Sequence, residues 1–321
     1  MPYTVTKSTS FIIIKAGELI LLNELPITSG IIVINKPKGM TSRTAVDYVQ
    51  EWFSESVPTG HAGTLDPLAS GVLVICLGWT TRLVEYIQSM KKIYKTTIRL
   101  GAKSVTDDSE GPIEVLEVQQ VPTLEEIQLA LKTFEGVIEQ TPPSHSAAWI
   151  NGQRSYKLAR MGEPISLAPK KVHIHNIQII EYNFPYLELE ITCGKGTYIR
   201  SIARDLGTLI NTGGYVEDLQ RTAIGCFKLS ESQAPSPKPE DLKNIILPHE
   251  SAVDSEEKLI LEPALLNLLI KGTKTPFDLE KTSINFTKPI AILDSDNKFR
   301  AMAIYDQTTK LLKPTKVFSL K

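Results

Sequence analysis

Between Gly60 and Gly71 the chain reads GHAGTLDPLASG, and the unbroken apolar run VLVICLG follows at once. That run is far shorter than the ~18 residues of a membrane helix and lacks polar alternation, so it reads as a buried strand. A strand of this kind anchors the loop in front of it. Within the loop, Pro67 fixes one φ angle and restricts Asp66 before it, and glycines stand at 60, 63 and 71. The product is a presented carboxylate, fit to act as a nucleophile or general base. A plainer reading makes Asp66 the cap of a helical turn with Pro67 at its first position. Capping alone does not call for those glycines, nor for His61 and Thr64 on the same loop.

The 321 residues allow one large domain or two to three smaller ones, and 42% hydrophobic with 22% charged residues is ordinary for a soluble globular chain. A net charge of −1 excludes a general polyanion coat, so a nucleic acid would have to be held by local patches. Cys76, Cys193 and Cys226 are sparse and form no CxxC pair. Their pattern argues for a reducing compartment and against a disulfide framework or zinc site. The N-terminal runs FIII and LILL are split by Lys15 and Glu18, unlike a secretory leader. A cytoplasmic protein with no membrane span is expected.

Residues 1–29 read as an extension with one or two short strands. GIIVINKPKGMTS gives a strand, a Gly39 turn and a cap at Thr41 or Ser42 for a helix whose inner face is Ala45, Val46, Val49 and Phe53. RLVEYIQSM reads as a helix, KKIYKTTIRLG as a strand, and LEEIQLALKTF as a helix with Ile127, Leu131 and Phe134 in register. VHIHNIQIIEY and YLELEITCG are strands. TYIRSIARDLG is a helix that turns Ile199, Ile202, Ala203 and Leu206 inward and stops at Gly207. SESQAPSPKPED, at 230–241, has the composition of a linker or surface excursion. Beyond it, a short helix, a hairpin with SDN at its tip and a final strand make a small β-rich module. The main body is α+β, since its strands outnumber its helices and do not alternate with them as a doubly wound sheet requires.

A carboxylate working in a cleft needs a cation to stay ionised. CGKGTYIRSIARDLG supplies one, because Arg200 lies in the first turn of the helix that follows the Gly194–Gly196 turn, where amides and cation make an anion site. A surface salt bridge is the plainer role for Arg200. The GxxxxGK[ST] pattern of a nucleotide-binding loop is absent. PPSHSAAWINGQRSYKLARMG opens a basic segment: Arg154, Lys157, Arg160, Lys170 and Lys171 face one acid, Glu163, with Tyr156 among them and Trp149 just before. Charge interleaved with aromatic rings suits RNA, although a solvated helix face is the commoner meaning of a charge run. His173 and His175 alternate on a strand without a further metal ligand and read as structural.

Taken together, NKPKGMTS, HAGTLDPLASGVLVICLG, KKIYKTTIRLG, CGKGTYIRSIARDLG and LQRTAIGCF resemble the bacterial TruB-type tRNA pseudouridine synthases, in order and with natural spacing from about residue 30 to 227. The resemblance implies a catalytic domain over 30–250 built on a mixed, mostly antiparallel sheet, an RNA-gripping insertion at about 141–171, and a small PUA-like β-rich domain over 251–321. His145, Ala148 and Trp149 depart from the insertion's usual pattern. The implied activity is conversion of uridine 55 in the T-loop of tRNA to pseudouridine, without cofactor or metal, by a monomer that binds the T-arm.

The resemblance also assigns roles. Asp66 becomes the essential carboxylate, with attack on the sugar, attack on the base and proton abstraction all open to it. Tyr94 stacks on the flipped base, Arg200 pairs with Asp66, and His61, Tyr198 and Leu219 line the pocket or support the extruded nucleotide. Lys36, Lys38, Arg154, Lys157 and Arg160 are expected on RNA. Two other functions compete: a silent tRNA-binding or tRNA-folding protein on the same scaffold, and a glycosidase-like enzyme, which would need a second carboxylate beside Asp66.

Overall fold

The computed structural model describes residues 11–15, 18–22, 29–53, 57–146, 149–150, 153–154, 161, 167–278 and 287–318. Strands β1 (Phe11–Lys15) and β2 (Glu18–Leu22) pair as an antiparallel hairpin ahead of the main body. The main body begins with β3 (Gly30–Lys36), α1 (Ser42–Gln50), β4 (Thr59–His61), β5 (Ser70–Leu77), α2 (Val84–Ser89) and β6 (Lys92–Leu100). It continues through β7 (Ala102–Ser104), β8 (Ile113–Val115), α3 (Leu124–Lys132), β9 (Gly136–Gln140), β10 (Trp149–Ile150) and β11 (Gln153–Arg154). Next come β12 (Lys170–Asn183), β13 (Tyr186–Cys193), α4 (Ile199–Leu209), β14 (Gly214–Ile224) and β15 (Phe227–Lys228). The C-terminal part holds β16 (Glu257–Ile260), α5 (Pro263–Ile270), β17 (Thr275–Pro276), β18 (Ile290–Leu293), β19 (Phe299–Asp306) and β20 (Leu311–Val317).

One sheet runs in the order β3-β5-β14-β6-β13-β12-β9, with β4 added on β5 and β15 on β14. All its pairings are antiparallel except β5 with β14, which makes the sheet mixed and mostly antiparallel, as expected. The unbroken apolar run of β5 has a direct cause, because both faces of this strand are covered. Leu73 and Ile75 pack with Ala45, Val46 and Val49 of α1. Val72 and Val74 pack on the opposite side with Tyr86 and Ile87 of α2 and with residues of the C-terminal part. Helix α4 buries Ile199, Ile202, Ala203 and Leu206, the face read from its spacing, against β6, β13 and β14.

Two expectations are corrected. Gly207 does not stop α4, which runs on to Leu209. Gly207 is instead a point of contact: a Cβ there would lie 2.1 Å from the carbonyl carbon of Gly213, so the helix could not settle against the start of β14. The Pro- and Ser-rich stretch is not a loose linker either. Gln233 exchanges backbone hydrogen bonds with β3 (Gln233 N to Val33 O and Asn35 N to Gln233 O, both 2.8 Å), and Leu247 does so with Ile31. The segment therefore shields the open edge of β3, which would otherwise offer unpaired backbone groups.

The C-terminal strands form a second sheet, β16-β18-β19-β20-β17, with the expected hairpin turning at Asp294–Lys298 between β18 and β19. This sheet does not stand apart. Ala291, Phe299, Met302 and Phe318 share one core with Ile31, Val33 and Val74 of the main body.

Candidate active site

The loop between β4 and β5 is held from three sides by buried polar side chains. Ser42 clamps Leu65, its hydroxyl donating to the Leu65 carbonyl (2.9 Å) and accepting from the Leu65 amide (2.8 Å). The Lys36 ammonium donates to the carbonyls of Pro37 (2.8 Å) and Met40 (2.7 Å) and reaches that of Pro67 (3.5 Å). Arg221 donates to the carbonyls of Gly63 and Thr64, both at 3.2 Å. These groups come from NKPKGMTS and LQRTAIGCF, so segments remote in sequence fix one loop. Asp66 begins a tight turn, with Ala69 N bonded to its carbonyl at 3.1 Å, and no helix starts there. The capping reading falls, and the carboxylate is left for other work.

That work involves Arg200. Its guanidinium donates to Asp66 Oδ2 at 2.8 Å through one nitrogen and to Asp108 Oδ2 at 2.8 Å through another, which also meets the Thr106 carbonyl at 3.2 Å. The Arg200 side chain is 5% exposed and Asp108 2%, whereas Asp66 is 35% exposed. Arg200 is thus no surface salt bridge. It is a buried cation shared by two carboxylates, only one of which opens towards solvent. One turn further along α4, Arg204 pairs with Asp107 at 2.9 Å, so the loop after β7 is docked on α4 by two adjacent ion pairs. The start of α4 is fixed in turn by buried Gln140, whose amide accepts from Tyr198 N (2.8 Å) and donates to the Tyr198 carbonyl (3.0 Å).

Asp66 and Arg200 open into a cleft of about 530 Å³ whose lining includes Tyr94, Tyr198, Leu219 and Arg221. Four of the expected site residues other than Asp66 are therefore gathered around it: Tyr94, Tyr198, Arg200 and Leu219. Tyr94 is 9% exposed, and burial pushes its phenol pKa up, which keeps the ring protonated at neutral pH. Lys92, Lys170, Lys171 and Lys195 bring positive charge to the same cleft. Burial, helped by the charge of Arg221, holds the Lys92 pKa down at about 8.

Other expected residues are placed differently. His61 sits on β4 outside the cleft lining, and burial with the Arg221 charge beside it lowers its pKa, leaving a neutral imidazole. Lys36 cannot reach a phosphate: its side chain is fully buried and engaged with loop carbonyls, and burial brings its pKa to about 8. Lys38 is more than half exposed and pairs with Asp218. For Arg154 only the backbone, in β11, is described, and Lys157 and Arg160 lie outside the described residues. The rings of His173 and His175 lie 4.0 Å apart between centroids and are tilted by 49°, and among the described residues no cluster of three metal-binding side chains occurs.

Asp108, Gln140 and Arg221 were not singled out from sequence. The acidic pair in VTDDSEG and the arginines one helical turn apart in RSIAR were the available signal for the first. Nothing local marks Gln140.

Comparison with known proteins follows the same lines. The family model described as TruB family pseudouridylate synthase (N terminal domain) matches residues 53–199. The tRNA pseudouridine synthase B of Dehalococcoides mccartyi (strain CBDB1) is 37% identical over 294 residues, covering 90% of this chain and 96% of the relative. That of Bartonella tribocorum is 35% identical over 314 residues, covering 91% and 96%. Among solved structures, a Cbf5–Nop10–Gar1 complex superposes with a TM-score of 0.69 at 22% identity, covering 91% of this chain and 86% of the other, a likeness of fold. With a site assembled from the motifs that carried the resemblance and relatives matched along nearly their whole length, the chain belongs to the TruB family of pseudouridylate synthases.

Proposed function

We propose that the protein isomerises uridine 55 in the T-loop of tRNA to pseudouridine, with Asp66 as the essential carboxylate. The observation that carries this reading is the Asp66–Arg200 pair at 2.8 Å, set in a cleft that Tyr94 also lines. Chemistry on a base within a folded RNA arm requires extruding that base, at a cost of a few kcal/mol that aromatic stacking offsets. Tyr94 supplies the stacking face, and Tyr198 and Leu219 close round the nucleotide. Lys170, Lys171 and Lys195 lie where flanking phosphates would pass. Lys38 and the basic segment with Arg154, Lys157 and Arg160 extend the grip, and the C-terminal sheet serves as the PUA-like RNA-binding part. In the reaction the bond from ribose C1′ to N1 breaks and one to C5 forms. The proton lost from C5 is matched by one gained at N1, so the exchange is redox-neutral and consumes no cosubstrate.

The test is to incubate the full chain with unmodified tRNA transcript and map pseudouridine, beside an Asp66→Asn variant. The parent should convert position 55. The variant should convert none while its tRNA affinity stays within about an order of magnitude, because the substitution is nearly isosteric and the loop is held by Ser42 and Arg221 rather than by the carboxylate. A parent that binds tRNA and converts nothing would return the chain to the silent RNA-binding reading.

A further inference from the structure

The motif LQRTAIGCF contributes Leu219 to the cleft, and its arginine lines the same cleft while holding the Asp66 loop. Arg221 is 2% exposed. Its Nε donates to the Val72 carbonyl at 2.7 Å, and its two terminal nitrogens donate to Thr64 and Gly63 at 3.2 Å. Among the described residues no carboxylate stands in ion-pair contact with it. Burying a guanidinium without a counter-ion is costly, and an apolar chain of similar length would fill the space more cheaply. A position that keeps the charge in the face of that cost is using the directed N–H fork.

Register shows where the fork points. Arg221 on β14 lies opposite Tyr94 on β6 and, on its other side, opposite Gly71 at the start of β5. The approach to β5 is so close that a Cβ on Gly71 would lie 2.2 Å from the Arg221 carbonyl oxygen. Three N–H groups go to the backbone of the Asp66 loop and the head of β5, which leaves two. Arg221 and Tyr94 both line the cleft, and the Arg221 charge pulls the Tyr94 phenol pKa down against the stronger upward push of burial.

We propose that Arg221 is a positioning residue that ties the Asp66 loop to the Tyr94 hydroxyl, so that carboxylate and ring keep one spacing across β5, β14 and β6. By donating to the phenol oxygen it also sets the direction of the Tyr94 proton, which then points away from the guanidinium and into the cleft. This rests on the functional reading above. The shared cation Arg200 orients Asp66 from the side of α4, and Arg221 orients it from beneath the loop. The two arginines therefore hold one carboxylate between independent elements.

The experiment is a double-mutant cycle on the full chain: Arg221→Met and Arg221→Lys, each alone and combined with Tyr94→Phe, measured by tRNA affinity, single-turnover conversion and thermal melting. Arg221→Met should bind tRNA close to the parent but lose about 100-fold in single-turnover rate, the usual cost of a misplaced reacting group. In the Tyr94→Phe background the same change should cost clearly less, because the hydroxyl it orients is gone. Arg221→Lys, which keeps charge without the fork, should recover melting temperature more fully than rate. Independent, multiplying effects of the two positions would overturn the proposal, as would a rate that simply follows melting temperature. Failure of both Arg221 variants to fold would make it a folding residue and overturn the proposal too. A parent that leaves every uridine unconverted overturns the functional reading, and this inference with it.

Discussion

The ring of Tyr94 packs with Leu65, Leu68 and Ile191 in the core beneath the sheet, and it also lines the cleft. Its substitutions should therefore separate two roles. Tyr94→Leu removes a buried ring and should lower both melting temperature and turnover. Tyr94→Phe keeps the packing and any stacking but removes the hydroxyl that Arg221 is proposed to orient. A hydrogen bond to a charged group is worth about 1.5–3 kcal/mol, so single-turnover conversion should fall about tenfold or more. Melting should stay near the parent's, and a Phe variant with normal chemistry would confine the hydroxyl to a packing role. Lys36 carries a pH signature. Burial lowers its pKa from 10.5 to about 8. Between those values the unfolded chain binds more protons than the folded one, so the contribution of Lys36 to stability rises with pH and is lost as pH falls through about 8. The stability difference between parent and Lys36→Met should accordingly widen between about pH 8 and about pH 10, and a difference flat across that window would count against a buried ammonium. Asp66 and Arg200 were legible in the sequence because each sits in a motif whose local grammar (a proline-locked loop, a helix start) suggests its use. Asp108, signalled only by the acidic pair in VTDDSEG, and Arg221 were harder to read, because the meaning of each depends on partners far away along the chain.

At the scale of elements, the apolar periodicity of α1, α3 and α4 and the unbroken run of β5 translated into buried faces, except that Phe53 and Phe134 lie beyond the ends of α1 and α3 and are only partly buried. The misreadings came where tertiary contact overrides a local rule. Gly207 has the form of a helix stop, but its hydrogen is needed where α4 meets the Gly213–Gly214 turn. Gly207→Ala tests this cleanly, since helix propensity alone predicts a gain of about 1 kcal/mol. Contact predicts the opposite sign. A Cβ placed 2.1 Å from backbone carbon must push helix and strand apart, at roughly 1–3 kcal/mol for such overpacking. Denaturant melts should show a less stable variant, and because α4 carries Arg200, its turnover should fall as well. A stabilised variant would restore the helix-stop reading. Likewise, proline and serine content at 230–241 resembled a linker, yet the backbone groups of Gln233 and Leu247 are spent on the edge of β3, which composition cannot reveal.

For the whole molecule, the question is whether the C-terminal sheet is an appendage or part of one cooperative unit. Phe318 is 3% exposed and stands 4.6 Å from Trp79 and 5.3 Å from Phe299 between ring centroids, with the Arg82 guanidinium 4.7 Å from its ring centroid. Arg82 also donates to the Val317 carbonyl at 3.0 Å, and Lys316 pairs with Glu85. These contacts join the end of β20 to the helical segment that directly follows β5. Residues of both sheets fill one core, so removing the C-terminal part would bare the inner face of β3 and β5. A module of about 65 residues could in principle fold alone, but sharing its core removes that independence. Phe318→Ala should therefore destabilise the entire chain, by roughly 3–5 kcal/mol for a buried phenylalanine. Calorimetry should record one transition that moves as a unit to lower temperature, and fluorescence from Trp79 should change over the same range. A trace in which one peak shifts while a second, larger peak holds still would mean that the two sheets unfold separately and that the shared core does not couple them.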